Sequence, residues 1–284
     1  MAAPVYSTPF QPYVYQSPES SVTPFQILGG EAQIVQIMLK SLQKVTAKPG
    51  SMCYMSGSIQ MDNVYALEQD GGVWQLQWIF GKTAISINLL NSGSDDGYVG
   101  IAAPSPGRIL PIDLANFGGE LLCQPDAFLC SVNDVTVSNS LEHPRGRNIM
   151  PGAEIVLRQK LVGQGLAFLV SGGSVAQKTL QPGETLVMDS ACIIAMTSTI
   201  SFQIKNMNAR RAIIFGGENH MTVSLTGPGV VFIQSLPFYR LSKHIARAVT
   251  STNMRENPRF FIQIAIFFFL AYAMIVSSLI LTDV

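Results

Sequence analysis

Three acidic residues follow turns rich in glycine or proline: Glu120 after Gly118-Gly119, Glu184 after Pro182-Gly183, and Glu218 after Gly216-Gly217. Carboxylates at related turns have the residue type for general acid–base work, which needs two such groups within reach of one proton and tuned by their surroundings. A glycine that permits positive φ, followed by a polar residue opening a strand, is also what a hairpin needs. That structural reading takes precedence here. Asp95-Asp96 sits in Asn91-Ser-Gly-Ser-Asp-Asp-Gly97, a solvated loop by composition, and Asp113 and Asp126 stand alone. His143, His220 and His244 share no spacing, and Cys53, Cys123, Cys130 and Cys192 form no C-x-x-C pair. Neither a histidine nor a thiolate metal site is therefore expected. Gly163-Gln-Gly165 and Gly227-Pro-Gly229 lack the Lys-Ser/Thr and following helix of a phosphate loop. The residues thus predict no catalytic group, no metal and no cofactor. One further grouping, Trp74, Trp78 and Phe80, could line an apolar ligand pocket, although alternating aromatics in Trp74-Gln-Leu-Gln-Trp78 also fill a strand face.

The chain that must position these groups has 284 residues, 48% of them apolar and only 13% charged, against about 25% charged in an ordinary soluble domain. Its formal charge is zero, but unevenly spread. Up to Tyr239 there are 13 Lys/Arg against 16 Asp/Glu, whereas 240–259 carries five Lys/Arg and one Glu. A net-acidic body argues against nucleic-acid binding. Each cysteine lies in an apolar stretch, as in Leu121-Leu-Cys123, and reads as a small buried hydrophobe in a reducing compartment.

Between 27 and 239 strand signals dominate. Runs such as Ile85-Ser-Ile-Asn-Leu89, Glu154-Ile-Val-Leu157 and Arg211-Ala-Ile-Ile-Phe215 are bounded by Gly, Pro, Asn or Asp, a pattern of all-β sandwiches and barrels. Self-comparison sharpens this. Glu120–Ser131 aligns with Glu184–Ala195 at an offset of 64, and Leu161-Val-Gly-Gln-Gly-Leu-Ala-Phe-Leu169 aligns with Leu225-Thr-Gly-Pro-Gly-Val-Val-Phe-Ile233 at the same offset. A looser copy starts at Lys48-Pro-Gly-Ser51, with Met52-Cys-Tyr-Met55 in place of the later apolar pairs. The expectation is three β modules, about 27–105, 106–172 and 173–239, packed around a pseudo-threefold axis.

The ends differ from the body. Residues 1–26 hold five prolines among Tyr, Ser and Gln, which predicts a disordered or polyproline-like tail; Tyr6, Tyr13 and Tyr15 in it could form a docking motif. Neither a signal peptide nor a presequence is read there. Residues 240–259 predict a basic juxtamembrane segment with a short amphipathic helix. From 260 to 281 the sequence FFIQIAIFFFLAYAMIVSSLIL has no charge and predicts a transmembrane helix. Lys243, Arg247, Arg255 and Arg259 flank that stretch on one side, so the positive-inside rule predicts a tail anchor with the body in the cytosol.

Lys48-Pro-Gly-Ser-Met-Cys-Tyr-Met-Ser-Gly57, Pro106-Gly-Arg-Ile-Leu-Pro-Ile-Asp-Leu114, Leu121-Leu-Cys-Gln-Pro-Asp-Ala-Phe-Leu129, Pro182-Gly-Glu-Thr-Leu186, Phe215-Gly-Gly-Glu218 and Gln234-Ser-Leu-Pro237 occur in one order. Together they resemble the altered-inheritance-of-mitochondria protein 24 family, also described as tryptophan-RNA-binding-attenuator-protein-like, over about 27–242. The resemblance implies a short double-stranded β-helix repeated three times and no established catalytic residue. For fungal members it implies a role in organising the mitochondrial inner membrane; the pairing with a tail anchor looks like plant members. The expectation is an all-β, non-enzymatic, membrane-anchored scaffold supporting mitochondrial membrane organisation or biogenesis. The alternative is a small-molecule or lipid-binding sensor on an organelle membrane. Expected partners are the lipid bilayer, unidentified proteins and a second copy of the chain. A mitochondrial membrane is favoured by analogy, with plastid envelope and endoplasmic reticulum left open.

Overall fold

The computed structural model describes residues 10–13, 15, 24–65, 84–124, 126–139, 159–205, 222–256 and 258–282. The chain divides into two compact units, Met1–Pro237 and Phe238–Val284. The first unit is built of β-strands. Two short strands, β1 (Gln11–Pro12) and β2 (Phe25–Leu28), precede three sets of six. The first set is β3 (Ile34–Leu39), β4 (Lys44–Ala47), β5 (Met52–Met55), β6 (Ile59–Tyr65), β7 (Ala84–Asn91) and β8 (Gly97–Ala102). The second is β9 (Arg108–Asp113), β10 (Glu120–Cys123), β11 (Phe128–Val132), β12 (Val135–Asn139), β13 (Gln159–Gly163) and β14 (Leu166–Ser171). The third is β15 (Val175–Leu180), β16 (Thr185–Asp189), β17 (Ile193–Thr197), β18 (Ser201–Lys205), β19 (Thr222–Thr226) and β20 (Gly229–Gln234). The runs Glu154–Leu157 and Arg211–Phe215 lie outside the described residues.

Each set pairs in the same way. Its first, sixth and third strands form one antiparallel triplet, and its second, fifth and fourth form another. The third strand carries a bulge against the sixth in every set, between Met52 and Tyr54, Phe128 and Cys130, and Ile193 and Ala195. Sets are then stitched together: β11 pairs with β4, and β17 with β10. Four sheets result, of seven, six, three and four strands.

Burial follows from that stitching. β11 and β17 lie inside continuous sheets and are buried at every position, which suits the uncharged, mostly apolar runs Phe-Leu-Cys-Ser-Val and Ile-Ile-Ala-Met-Thr. β5 ends its sheet, and its burial alternates between half-buried and exposed. Two of the cores are shared between sets. Val35, Ile37, Val45 and Leu89 of the first set pack with Leu129, Val132 and Phe168 of the second. Leu121, Cys123, Leu161 and Leu169 of the second pack with Ile194, Ala195 and Phe232 of the third. A third cluster, with Leu180, Ile193, Met196, Val223, Leu225 and Val231, lies within the third set, so the sets are joined through the first two cores.

A large residue faces a small one at the pairing position behind each bulge: Phe168 opposite Cys130, and Phe232 opposite Ala195. In the first set the sizes are exchanged, with Tyr54 opposite Gly100. The Tyr54 ring lies over Gly100, where a Cβ would sit 2.3 Å from Cζ.

The second unit consists of α1 (Phe238–Glu256) and α2 (Pro258–Thr282). It corrects the expected transmembrane helix over 260–281: among the described residues, no helix is long and apolar enough to cross a membrane. The uncharged run in α2, which includes 262–275, does not meet that requirement of length and apolarity. The single-pass, tail-anchored arrangement is accordingly not supported. Phe267, Phe268, Phe269 and Met274 in that run are exposed.

Candidate functional site

Glu120, Asp113 and Asp126, among the acidic candidates, are spent locally. Glu120 pairs with Lys160 at 2.9 Å across β10 and β13. Asp113 and Asp189 accept the backbone N–H of Ala115 and Ala191, at 3.1 and 2.9 Å, and cap the short 3₁₀ turns Leu114–Phe117 and Ser190–Cys192. Asp126 meets Lys48 at 3.2 Å on the surface. Glu218 lies outside the described residues, and Asp95-Asp96 occupies the bend before β8. Among the described residues no ion pair or hydrogen bond brings two of these carboxylates to one point. Among the described residues no group of three or more His, Cys, Asp or Glu could hold a metal ion.

The cysteines divide. Cys123 and Cys130 are buried, Cys192 is half-buried and Cys53 is exposed. Burial pushes the Cys123 thiol up to about 12 and raises that of Cys130 as well, so neither supplies a thiolate nucleophile near neutrality. Trp74, Trp78 and Phe80 lie outside the described residues. Lys243, Arg247 and Arg255 fall in α1 and Arg259 in α2; the Lys243 ammonium stands 5.7 Å from the Tyr239 ring centroid.

What the fold does expose is strand edge. At the two stitched junctions the bulge residues are buried and their carbonyls are used: Lys48 N–H donates to Leu129 O at 2.8 Å, and Gln124 N–H to Ile194 O at 3.1 Å. A third junction of this kind would join β5 to β16 and close the ring. Instead β5 ends the four-stranded sheet and β16 ends the three-stranded one. Cys53, at the matching bulge, is exposed, Val187 at the centre of β16 is 50% exposed, and Met55 is 36% exposed. Matching registers place Tyr54 against Met188 and Met55 against Val187 in such a junction. These edges are templates for pairing with another strand.

A second edge, that of β15, is already occupied. β1 pairs with it antiparallel, Gln11 opposite Gln177 and Pro12 opposite Ala176. Proline has no N–H to donate and suits a strand at a sheet edge. The Tyr13 ring meets Phe232 edge-on at 5.3 Å, and its hydroxyl donates to Pro111 O at 2.5 Å. Burial raises the Tyr13 phenol, keeping it a protonated donor. The described part of the expected tail is thus laid on the body through partners about a hundred residues or more away, which local composition does not reveal. Its aromatic spacing, Phe10, Tyr13, Tyr15, is the signal that sequence reading had available.

Beside β1 a cleft of about 310 Å³ is lined by Gln11, Gln177, Lys178, Thr179, Gln181 and Glu184. Lys178 is buried and bonds Glu184 at 2.6 Å. The hydrogen bond from Lys178, then that from the Gln181 N–H, hold the Glu184 carboxyl below the usual carboxylate range. A carboxyl lowered by folding adds stability above its unfolded value of about 4.3, and that stability is lost as pH falls through the folded value. Acid is therefore expected to loosen the turn at 182–183 and the β15 edge below about pH 4.3. Glu184→Gln should flatten that pH dependence, as followed by hydrogen exchange of the β15 amides.

Residues 25–236 match the family described as Mitochondrial biogenesis AIM24. No curated protein matches the chain. Among solved structures, the crystal structure of a Streptococcus pyogenes protein is similar with a TM-score of 0.62 and 21% identity, over 80% of this chain and 99% of that one. At that identity the likeness shows a shared fold. Three linked six-strand sets, with their signatures in order across the matched span, mark this chain as a member of the Mitochondrial biogenesis AIM24 family.

Proposed function

We propose that the chain is a non-enzymatic organising protein in mitochondrial biogenesis, and that it holds protein partners on the strand edges of its β body. The family description supplies the setting. One observation carries the mode of action: among the described residues no strand pairs with the outer edges of β5 and β16, where two equivalent junctions are filled. The occupant is an extended segment of a partner protein, joining main chain to main chain as β4 joins β11.

Val187→Lys tests this. The side chain is half in solvent, so the body should tolerate the charge, yet an edge lysine blocks strand addition. The variant is expected to melt within about 2 °C of the parent and to lose a stoichiometric partner that the parent retains on purification from mitochondria. Retention of that partner by a folded Val187→Lys chain would sink the reading.

A further inference from the structure

The β15 edge carries a strand of its own chain. It holds Gln11 and Pro12 in register on one sheet, and the aromatic residues around them continue across the body. The Lys178 ammonium stands 5.8 Å from the Phe10 ring centroid. Tyr13 sits on Phe232, whose ring also receives Phe117 edge-on at 5.4 Å. Tyr15 packs on Phe25 at 5.4 Å, and Phe25 on Phe168 at 5.0 Å. The segment thereby touches β2 and elements of the second and third strand sets.

The segment's own chemistry defines what the site takes. Residues 10–15 read Phe-Gln-Pro-Tyr-Val-Tyr and carry no charge, and the first charged residue of the chain is Glu19. The acceptor is matched to that. Its ionic groups, Lys178 and Glu184, neutralise each other, leaving main chain, a cation face for one ring and the Pro111 carbonyl for one hydroxyl. Among the described residues two of the segment, Gln11 and Pro12, pair with β15, and the chain that tethers them gives the segment a high effective concentration there.

We propose that the β15 edge is an acceptor for extended, uncharged aromatic–proline segments, that residues 10–15 are its resident occupant, and that a protein partner's segment of the same chemistry takes their place in the same antiparallel register. The main chain supplies binding and the Phe232–Pro111 pocket selects a tyrosine. This does not depend on the organising role proposed above, because every contact invoked lies within the chain.

The test is a labelled peptide of residues 8–17 titrated into the full chain and into the full chain carrying Tyr13→Ala, with the amides of Ala176, Gln177 and Lys178 followed by NMR. Removing the resident's ring contact and hydrogen bond should let the free peptide bind the variant about 10-fold tighter than the parent. A peptide lacking that tyrosine should bind the variant about 10-fold more weakly. Phe10→Ala, which alters only the Lys178 end, serves as the second chain variant if Tyr13→Ala does not fold. The proposal is overturned if a folded variant shows no shift of the β15 amides, or if a scrambled peptide binds as well as the native one.

Discussion

Phe168→Ala is expected to lower the stability of the β body by about 3–5 kcal/mol, the range for truncating a fully buried aromatic residue. Phe168 is 0% exposed. It lies in the cluster that the first set builds with the second, pairs with Cys130 behind the bulge of β11, and receives Phe25 edge-on. Cys130 opposite is too small to collapse into the space. For a domain of this size the loss corresponds to a fall in melting temperature of roughly 6–20 °C. Phe232→Ala should cost a comparable amount, and it removes the surface on which Tyr13 rests. Thermal melts of the two variants against the parent measure both. Costs under about 1 kcal/mol would mean that the shared cores are not what hold the sets together.

The second large effect is expected at Gly163. Its φ is +148°, and an added Cβ would lie 1.7 Å from the backbone oxygen of Asp134, where no flexible side chain can yield. Gly163→Ala must therefore shift the hairpin of β12 and β13 or strain the backbone, at about 2–5 kcal/mol. Gly57→Ala is the control: it has no left-handed φ and meets nothing within 4 Å, so a change within about 0.5 kcal/mol is expected. Urea denaturation midpoints decide between them. The Gly-x-Gly turns thus have a physical reason for their glycines, a close main-chain approach, which is unrelated to phosphate binding.

The same residues explain how much of the fold could be read in advance. The offset of 64 holds for the sixth strands, where Phe168 and Phe232 do the same job, but their partners Cys130 and Ala195 stand 65 apart, so the third strands slip by one residue against the sequence alignment. The first copy reads as looser because it moves the aromatic ring across the register, from the sixth strand to Tyr54 on the third, and leaves Gly100 behind. A linear comparison of strands cannot follow a swap between partners. Cys53 was read as buried, as Cys123 and Cys130 are, because its neighbours are apolar; its exposure comes from a junction that is not made, a fact of topology. The placement of Tyr13 was likewise out of reach, since its hydroxyl partner is 98 residues away. At the other end, an uncharged run suggested a membrane span, whereas no described helix has the length and apolarity for one.

The central claim is that the ring of strands is open between β5 and β16. Amide hydrogen exchange on the free full-length chain tests it most directly. The account predicts that Met55 and Val187, whose N–H groups face the open edge, exchange at least about 100-fold faster than their counterparts in the filled junctions, Thr46, Ser131, Leu122 and Met196. Equal protection at all three places would mean that β5 and β16 pair within the chain, and would contradict the account.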